Sequence, residues 1–482
     1  MDVIERMLDY SNQHVQIYLH EEQISTRPGA SAGIWMSFLL PTAIIVGSNS
    51  NHDVSELYEI AVSLSLGLLG TSALFIARSY KCRTQDYAFV IPPVFTYIQL
   101  FFYNKVGVWF SIAGGFASYS FSEAVIFLLD AVPKSLTYGE ASVLTQALIL
   151  FLFLVANSLV NTWYNAPIHC VNTSSVIMQV GLLGLLLIST TTYFFPQMRR
   201  PLPFYSLTLG VIFGFVIPFL QILLQENPVL WIVQLMLSNT TVGLLVIYWV
   251  ICSGLAVLAV NFQIQGGEQA STMIRKYFHI LAVLVFIPGI IRECCFLYLA
   301  TGVVLGLIIG LELLRVLNMP PVGEALQAGF KVFADEKDVG SIAFTPIYLM
   351  AGCSLPLWLY TSVSSEENYA GQHLLPLMSG LLTIGIGDTA ASIFGTLIGK
   401  TKWKGTKKTV EGTLASIICQ MTLILMLVYF GYICSSPVLL TQATFAIILT
   451  SIIEAKTDQV DNLALPLIMY IILLAFQLFP LS

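Results

Sequence analysis

The chain has 482 residues, of which 56% are hydrophobic and only 10% charged, with a mean hydropathy of +0.81 and a formal net charge of −6. Soluble domains carry about 25% charged residues, so most of this chain belongs in lipid, and its acidic balance argues against nucleic acid as a partner. No run of alternating polar and apolar residues suggests a β-barrel, which leaves a polytopic all-α membrane protein.

Residues 1–28 are polar and charged and lack the short apolar core and small-residue cleavage site of a signal peptide, so insertion is expected to rely on the first span. A helix needs about 20 apolar residues to cross a bilayer core of about 30 Å. Runs meeting that need predict spans near 33–49, 57–78, 86–103, 106–128, 141–163, 174–195, 203–224 and 229–262. The second half continues near 277–292, 295–314, 342–362, 374–398, 411–434, 436–453 and 462–480, about fifteen in all.

Cytosolic loops are enriched in lysine and arginine. Placing the loops at 263–276, 315–341, 399–410 and 454–461 on one face gathers Arg275, Lys276, Arg315, Lys331, Lys337, five lysines of 400–408 and Lys456 there, against Arg292 alone opposite. A cytosolic N-terminus puts Arg78, Lys81, Arg83, Arg199 and Arg200 on the same face. Residues 1–262 hold few ionisable groups within their spans and read as a lipid-side scaffold, whereas 263–482 carry nearly every residue with plausible chemistry. The eight cysteines show no C-x-x-C spacing and read as buried apolar side chains. Asn172 and Asn239 head N-x-[ST] sequons close to or within spans, where modification is not expected.

The most informative stretch runs from Gly385 to Gly412. Asp388 sits inside an apolar run, and an intramembrane carboxylate normally faces a cavity, a partner charge or a metal. At helical spacing Asp388, Ser392, Gly395 and Gly399 share one side, so positions without bulk adjoin the carboxylate. Five lysines follow within nine residues, and a helix is predicted to start at Thr409, where free N–H groups and the dipole favour phosphate. The competing reading is a helix-packing seam of small residues beside lysines that merely mark the cytosolic side. Gly395-Thr-Leu-Ile-Gly399-Lys400-Thr401 falls one residue short of a P-loop and follows a span instead of a strand.

Arg275, Lys276 and His279 mark the entry to the next span and share a face, which suits either interfacial anchoring or a cationic cluster on phosphate oxygens with His279 orienting a hydroxyl. Glu454, Asp458 and Asp461 are spaced four and three apart, so one or two helical turns would align them for a divalent metal or leave them as a solvated span end. Asp335, Glu336 and Asp338 suit a charged loop.

The order G-D-x-x-A-S-x-x-G from Gly387 to Gly395, then Gly399-Lys400, Lys402-Trp403 and Gly405-Thr406-Lys407-Lys408-Thr409-Val410-Glu411-Gly412, resembles the CTP-binding segment of dolichol kinases. CTP-dependent phytol and diacylglycerol kinases share a looser version. The resemblance extends to Arg275–His279, the Asp335–Gly340 region and the 454–463 region, and covers roughly 262–482. It implies transfer of the CTP γ-phosphate to dolichol at the cytosolic face of the endoplasmic reticulum membrane, yielding dolichyl phosphate for protein glycosylation. It also implies that Gly387, Ser392, Gly395, Gly399, Lys402, Lys404, Gly405, Thr406, Lys407, Lys408, Thr409, Glu411 and Gly412 contact CTP. Asp388, Lys276, His279 and Arg275 would be catalytic, with Asp388 either holding, together with Asp461, a divalent cation expected to be magnesium, or accepting the dolichol hydroxyl proton. Other readings are a kinase of another lipid alcohol, a phospholipid cytidylyltransferase, or an anion transporter. The transporter would show inverted repeats, and none is visible.

Overall fold

A computed structural model describes residues 2–50, 54–80, 86–164, 170–266, 270–334, 337–361 and 374–478. Their regular structure is helical, with no strand among the described residues and one isolated antiparallel bridge. The first half comprises α1 (Asp2–Glu21), α2 (Leu39–Ser50), α3 (Glu56–Ser79), α4 (Ile91–Ile98), α5 (Val108–Ala131), α6 (Tyr138–Tyr164), α7 (Cys170–Phe194), α8 (Pro201–Val211), α9 (Ile217–Leu224), α10 (Pro228–Ser238) and α11 (Thr240–Gly266). The second comprises α12 (Thr272–Arg292), α13 (Cys294–Val316), α14 (Gly323–Phe333), α15 (Phe344–Thr361), α16 (Leu374–Leu377), α17 (Thr389–Ile398), α18 (Val410–Tyr429), α19 (Pro437–Lys456) and α20 (Asp461–Leu478).

Among the described residues, eleven helices are long and apolar enough to cross a membrane, which bears out the all-α polytopic class. Three of the expected fifteen spans fall on shorter apolar stretches, Ile34–Asn49, Ala88–Tyr103 and Asp461–Phe476, a fourth such stretch, Pro228–Ser238, is part of the span expected at 229–262, and the span expected at 342–362 falls on α15. Many large apolar side chains, Trp109, Phe116, Leu237 and Val257 among them, point outward, as lipid-facing surfaces require.

The predicted span at 229–262 is two helices. Asn239 takes an extended conformation between them, and its side-chain oxygen accepts the Thr241 and Val242 N–H groups at 2.9 and 3.4 Å, capping α11. Its amide donates to Glu293 at 2.8 Å, so this sequon asparagine is engaged in structure. The cysteines also divide, because Cys295 is disulfide-bonded and Cys434 is exposed, whereas Cys252, Cys294 and Cys353 are buried thiols.

The two halves share one core. Its buried members run from Leu64 and Tyr138 in the first half to Leu382 and Leu467 in the second. The last helix, α20, occupies the centre, packed on α2, α15 and α19, with Ala464, Leu467, Met469 and Tyr470 fully buried. Residues 1–262 are therefore joined to the chemistry-bearing half through a common interior.

Candidate functional site

Between α16 and α17 the chain winds as a wide π-helical segment, Leu381–Asp388, that ends on the intramembrane carboxylate. Wide turns of this kind interrupt the regular hydrogen-bond ladder and recur at functional sites. Here the segment packs on α12, whose first two turns carry Lys276 and His279 three residues apart on one face. Lys276 Nζ donates to Asp388 Oδ2, and His279 Nε2 lies 3.4 Å from the same oxygen. All three side chains are at most 12% exposed. A buried carboxylate is costly alone, and the lysine offsets that cost. Arg275, expected on the same face, instead lines a neighbouring apolar cavity, with Nη2 3.4 Å from Thr272 Oγ1.

A second set of charges adjoins the first. Lys408 Nζ donates to the Glu454 carbonyl at 2.6 Å and to Glu454 Oε1 at 3.2 Å, and stands 3.9 Å from Asp461 Oδ2. Lys337 Nζ reaches Asp461 Oδ1 at 3.0 Å and the Gln459 carbonyl at 3.3 Å. Partial burial works against the Lys408 charge, but the Glu454 and Asp461 carboxylates outweigh it and hold its pKa above the usual lysine value. The Asp388, Glu454 and Asp461 carboxylates lie within electrostatic range of one another, interleaved with Lys276, Lys337 and Lys408. The site is thus three lysines among three carboxylates, drawn from six separate segments.

Residues 399–409 form a short hairpin. Lys402 and Thr409 make its antiparallel bridge, Trp403 N–H donates to the Lys408 carbonyl at 3.0 Å, and Val410 N–H donates to the Thr401 carbonyl at 2.8 Å. Gly405 turns the tip at φ +83°, a conformation that favours glycine. Trp403 Nε1 anchors the hairpin by donating to Thr413 Oγ1 at 3.0 Å. This geometry sorts the lysines: Lys400, Lys402, Lys404 and Lys407 are exposed along the hairpin, and Lys408 turns inward to Glu454.

The helix predicted at Thr409 is α18, with Thr409 as its N-cap accepting the Gly412 N–H at 3.2 Å. Two of its first N–H groups are therefore taken, by Thr401 and Thr409, and Glu411 folds back to accept the Thr401 N–H at 3.0 Å. The expected phosphate-binding helix start is largely satisfied internally. The glycines expected beside Asp388 also face α18. A Cβ on Gly412 would stand 2.7 Å from the Ala391 carbonyl, one on Gly395 would stand 3.0 Å from Thr409 Oγ1, and Gly399 is similarly closed by Thr409. Gly387 packs on Gln420, while Ser392 is half-buried. The small residues serve the α17–α18 seam, and Asp388 points away from them toward α12.

Glu454, Asp458 and Asp461 do not share one helix, because α19 ends at Lys456 and α20 begins at Asp461. Asp458 instead accepts the Ser31 N–H at 2.6 Å and the Ser31 hydroxyl at 3.0 Å. This 457–460 turn is braced by the first half of the chain. Glu140 on α6, paired with Arg27 at 2.7 Å, accepts the Val460 N–H at 3.3 Å, and Thr137 Oγ1 donates to Gln459 Oε1 at 2.8 Å. Among the described residues no three His, Cys, Asp or Glu side chains gather to hold a metal. Asp388 and Asp461 are carboxylates within electrostatic range of each other, each already paired with a lysine.

Sequence reasoning did not identify Glu140, Arg27 or Lys337 as site residues. Lys337 carried a signal, a cation within the acidic stretch 335–338, whereas Glu140 had only its position at the start of a span. Asp335 and Glu336 lie outside the described residues. Asp338 accepts the Thr345 N–H at 3.2 Å and borders the apolar cavity.

A family model for dolichol kinase matches residues 120–434, well over half the chain and reaching far into the first half. Among curated proteins, the dolichol kinase of Homo sapiens is 33% identical over 362 residues, covering 73% of this chain and 67% of the relative. A dolichol kinase of Arabidopsis thaliana is 32% identical over 52% of this chain and 43% of its own length, and that of Saccharomyces cerevisiae is 29% identical over 57% and 51%. No solved structure matches. The resemblance read from Gly387 to Gly412 is borne out on a longer stretch than the motifs covered, and the chain belongs to the dolichol kinase family.

Proposed function

We propose that this protein is a phosphotransferase that moves the γ-phosphate of CTP to the terminal hydroxyl of dolichol, releasing CDP, at the cytosolic boundary of the endoplasmic reticulum membrane. The observation that carries the reading is the convergence of Lys276, His279 and Asp388 beside a lysine hairpin whose Lys408 reaches Glu454 and Asp461. Phosphoryl transfer needs charge neutralisation and positioning more than covalent chemistry by the protein, and this site supplies both.

In the proposed arrangement the exposed Lys402, Lys404 and Lys407 draw in the polyphosphate, and Lys408 and Lys276 hold its oxygens at the membrane edge. Asp388 and Asp461 would hold the divalent cation, whose role is to neutralise phosphate charge. His279, buried and 3.4 Å from Asp388, faces the acceptor side and orients the hydroxyl. Removal of water around this buried set strengthens each of these contacts. The lysine- and arginine-rich loops support a cytosolic site, and the disulfide at Cys295 supports it from the other end. Cys295 opens α13, at the opposite end of α12 from Lys276, where an oxidising lumen would keep it paired.

The test is to incubate the purified protein in detergent with γ-labelled CTP or ATP and with dolichol, phytol or diacylglycerol. Label from CTP in dolichol is expected. Preferential use of ATP, or label only in another lipid alcohol, would overturn the nucleotide or the acceptor assignment respectively.

A further inference from the structure

A cavity of about 650 Å³ lies between α11, α12, α13, α14 and α15. Its walls are almost wholly apolar, from Trp249 and Leu297 at one end to Phe330 and Phe333 of α14 at the other. On α12 its lining runs from Arg275 to Phe286, eleven steps and about 16 Å of helix rise. The two ends differ in chemistry. Toward the middle of the membrane the lining is aromatic and aliphatic, whereas the end nearest the charged site presents Arg275, His279, Asp338 and the Glu312–Arg315 pair, closed at 2.6 Å.

His279 is common to this cavity and to the charged site, so the two spaces share a wall residue. Both of its ring nitrogens are buried, and neither has a well-formed hydrogen bond, the closest approach being that to Asp388. A buried imidazole of this kind is completed by a hydroxyl arriving from the cavity side. α14 covers the polar end: Phe333 packs edge-on against Phe278 at 5.7 Å, and the Arg315 guanidinium stacks 4.1 Å from the Phe330 ring. α11 closes the lateral side while presenting Leu244, Val250 and Val257 outward, so the wall between cavity and lipid is a single helix.

We infer that this cavity is the acceptor groove, holding the isoprene units nearest the hydroxyl of the polyprenol and delivering that hydroxyl to His279, while the rest of the chain stays in lipid. The inference rests on the dolichol reading above. A volume within the roughly 300–1,000 Å³ of small-molecule sites cannot enclose a long polyprenol, so the groove reads the head of the lipid and tolerates variation in total length. A phospholipid acyl chain would fill the apolar part but leave the polar end without a matching hydroxyl.

Two groove-filling variants and one labelling experiment test this. Gly329 on α14 has room for a small side chain, its Cβ standing 3.7 Å from Ile264, so Gly329→Leu must project into the groove. Ala300→Phe fills it from α13. Each variant is expected to raise the KM for dolichol by about tenfold, the cost of displacing a couple of buried methylenes, and to leave the KM for CTP unchanged. In the wild-type protein, a polyprenol bearing a diazirine on its first isoprene unit is expected to label the polar end of the groove, α12 between residues 275 and 282 and α13 between residues 308 and 315. Labelling confined to the outer face of α17 and α18, displacement of the label by phospholipid alone, or an unchanged dolichol KM in both folded variants would overturn the groove. Should the wild-type protein transfer no phosphate to dolichol, the functional reading fails, and the labelling pattern still decides the groove by itself.

Discussion

Lys276 and Asp388 are 112 residues apart in sequence, and they pair where the first turns of α12 meet the end of the π-helical segment Leu381–Asp388, with His279 facing the same carboxylate oxygen. The pairing makes each residue depend on the other. Lys276→Ala leaves a buried carboxylate without its cation, which costs about 3–5 kcal/mol when one partner of a buried pair is removed. Thermal unfolding in detergent should show a large drop for Lys276→Ala and for Asp388→Ala, and a smaller one for the double variant. All three should be inactive. A double variant as unstable as the sum of the singles would show that the pair is not coupled.

The hairpin lysines should divide by position. Lys402, Lys404 and Lys407 are exposed, so replacing each with alanine should raise the KM for CTP by about tenfold or less and make that KM less sensitive to salt. Lys408→Ala should lower kcat as well, because it also releases Glu454 and Asp461. Equal effects from all four would mean that the hairpin acts only as a diffuse positive field.

Glu140 belongs to the first half of the chain but holds the turn that carries one of the site's carboxylates. It is fully buried, paired with Arg27, and accepts the Val460 N–H next to Asp461. Glu140→Ala should therefore cost about 3–5 kcal/mol of stability, as the loss of one partner from a buried pair does. In whatever folded fraction remains, kcat should fall more than either KM rises, since a displaced Asp461 impairs the reacting centre. A stable, fully active Glu140→Ala would remove Glu140 from any positioning role.

Asp458 gives a dependence on acid. Partial burial would raise its pKa, but the Ser31 N–H, the Ser31 hydroxyl and Gln459 outweigh that and hold it below the usual 3.8. A depressed folded-state pKa contributes stability above the unfolded value, and that contribution is lost as pH falls through the folded one. Asp458→Asn should thus melt below the parent protein near neutral pH and match it in acid well below pH 3.8. A difference that persists in acid would show that the carboxylate charge is not what ties Ser31 to this turn.

The sequence made the class legible because apolar length is a strong signal, and it made Asp388 and the lysine run legible because charge next to lipid is expensive and rare. It did not show what the small residues meet. Helical spacing aligned Gly395 and Gly399 with Asp388, and in the structure the carboxylate pairs with Lys276 of α12 while the glycines close on Thr409 and α18. Periodicity gives a face, and not the partner that claims it. The break at Asn239 was hidden for a similar reason, since a single capping side chain divides an otherwise unbroken apolar run. Lys408 with Glu454, and Glu140 with Val460, join segments 46 and 320 residues apart, and no local pattern announces such contacts.

The central claim is that transfer takes place at the Asp388 cluster. Its most direct measurement is single-turnover phosphate transfer from CTP to dolichol by Asp388→Asn, an isosteric change, alongside CTP binding and thermal unfolding of the same preparation. The expected result is a protein that folds and binds nucleotide but transfers on the order of 10²–10³-fold more slowly, the scale on which losing one preorganised polar group at a reacting centre is felt. Transfer by Asp388→Asn at the wild-type rate would contradict it.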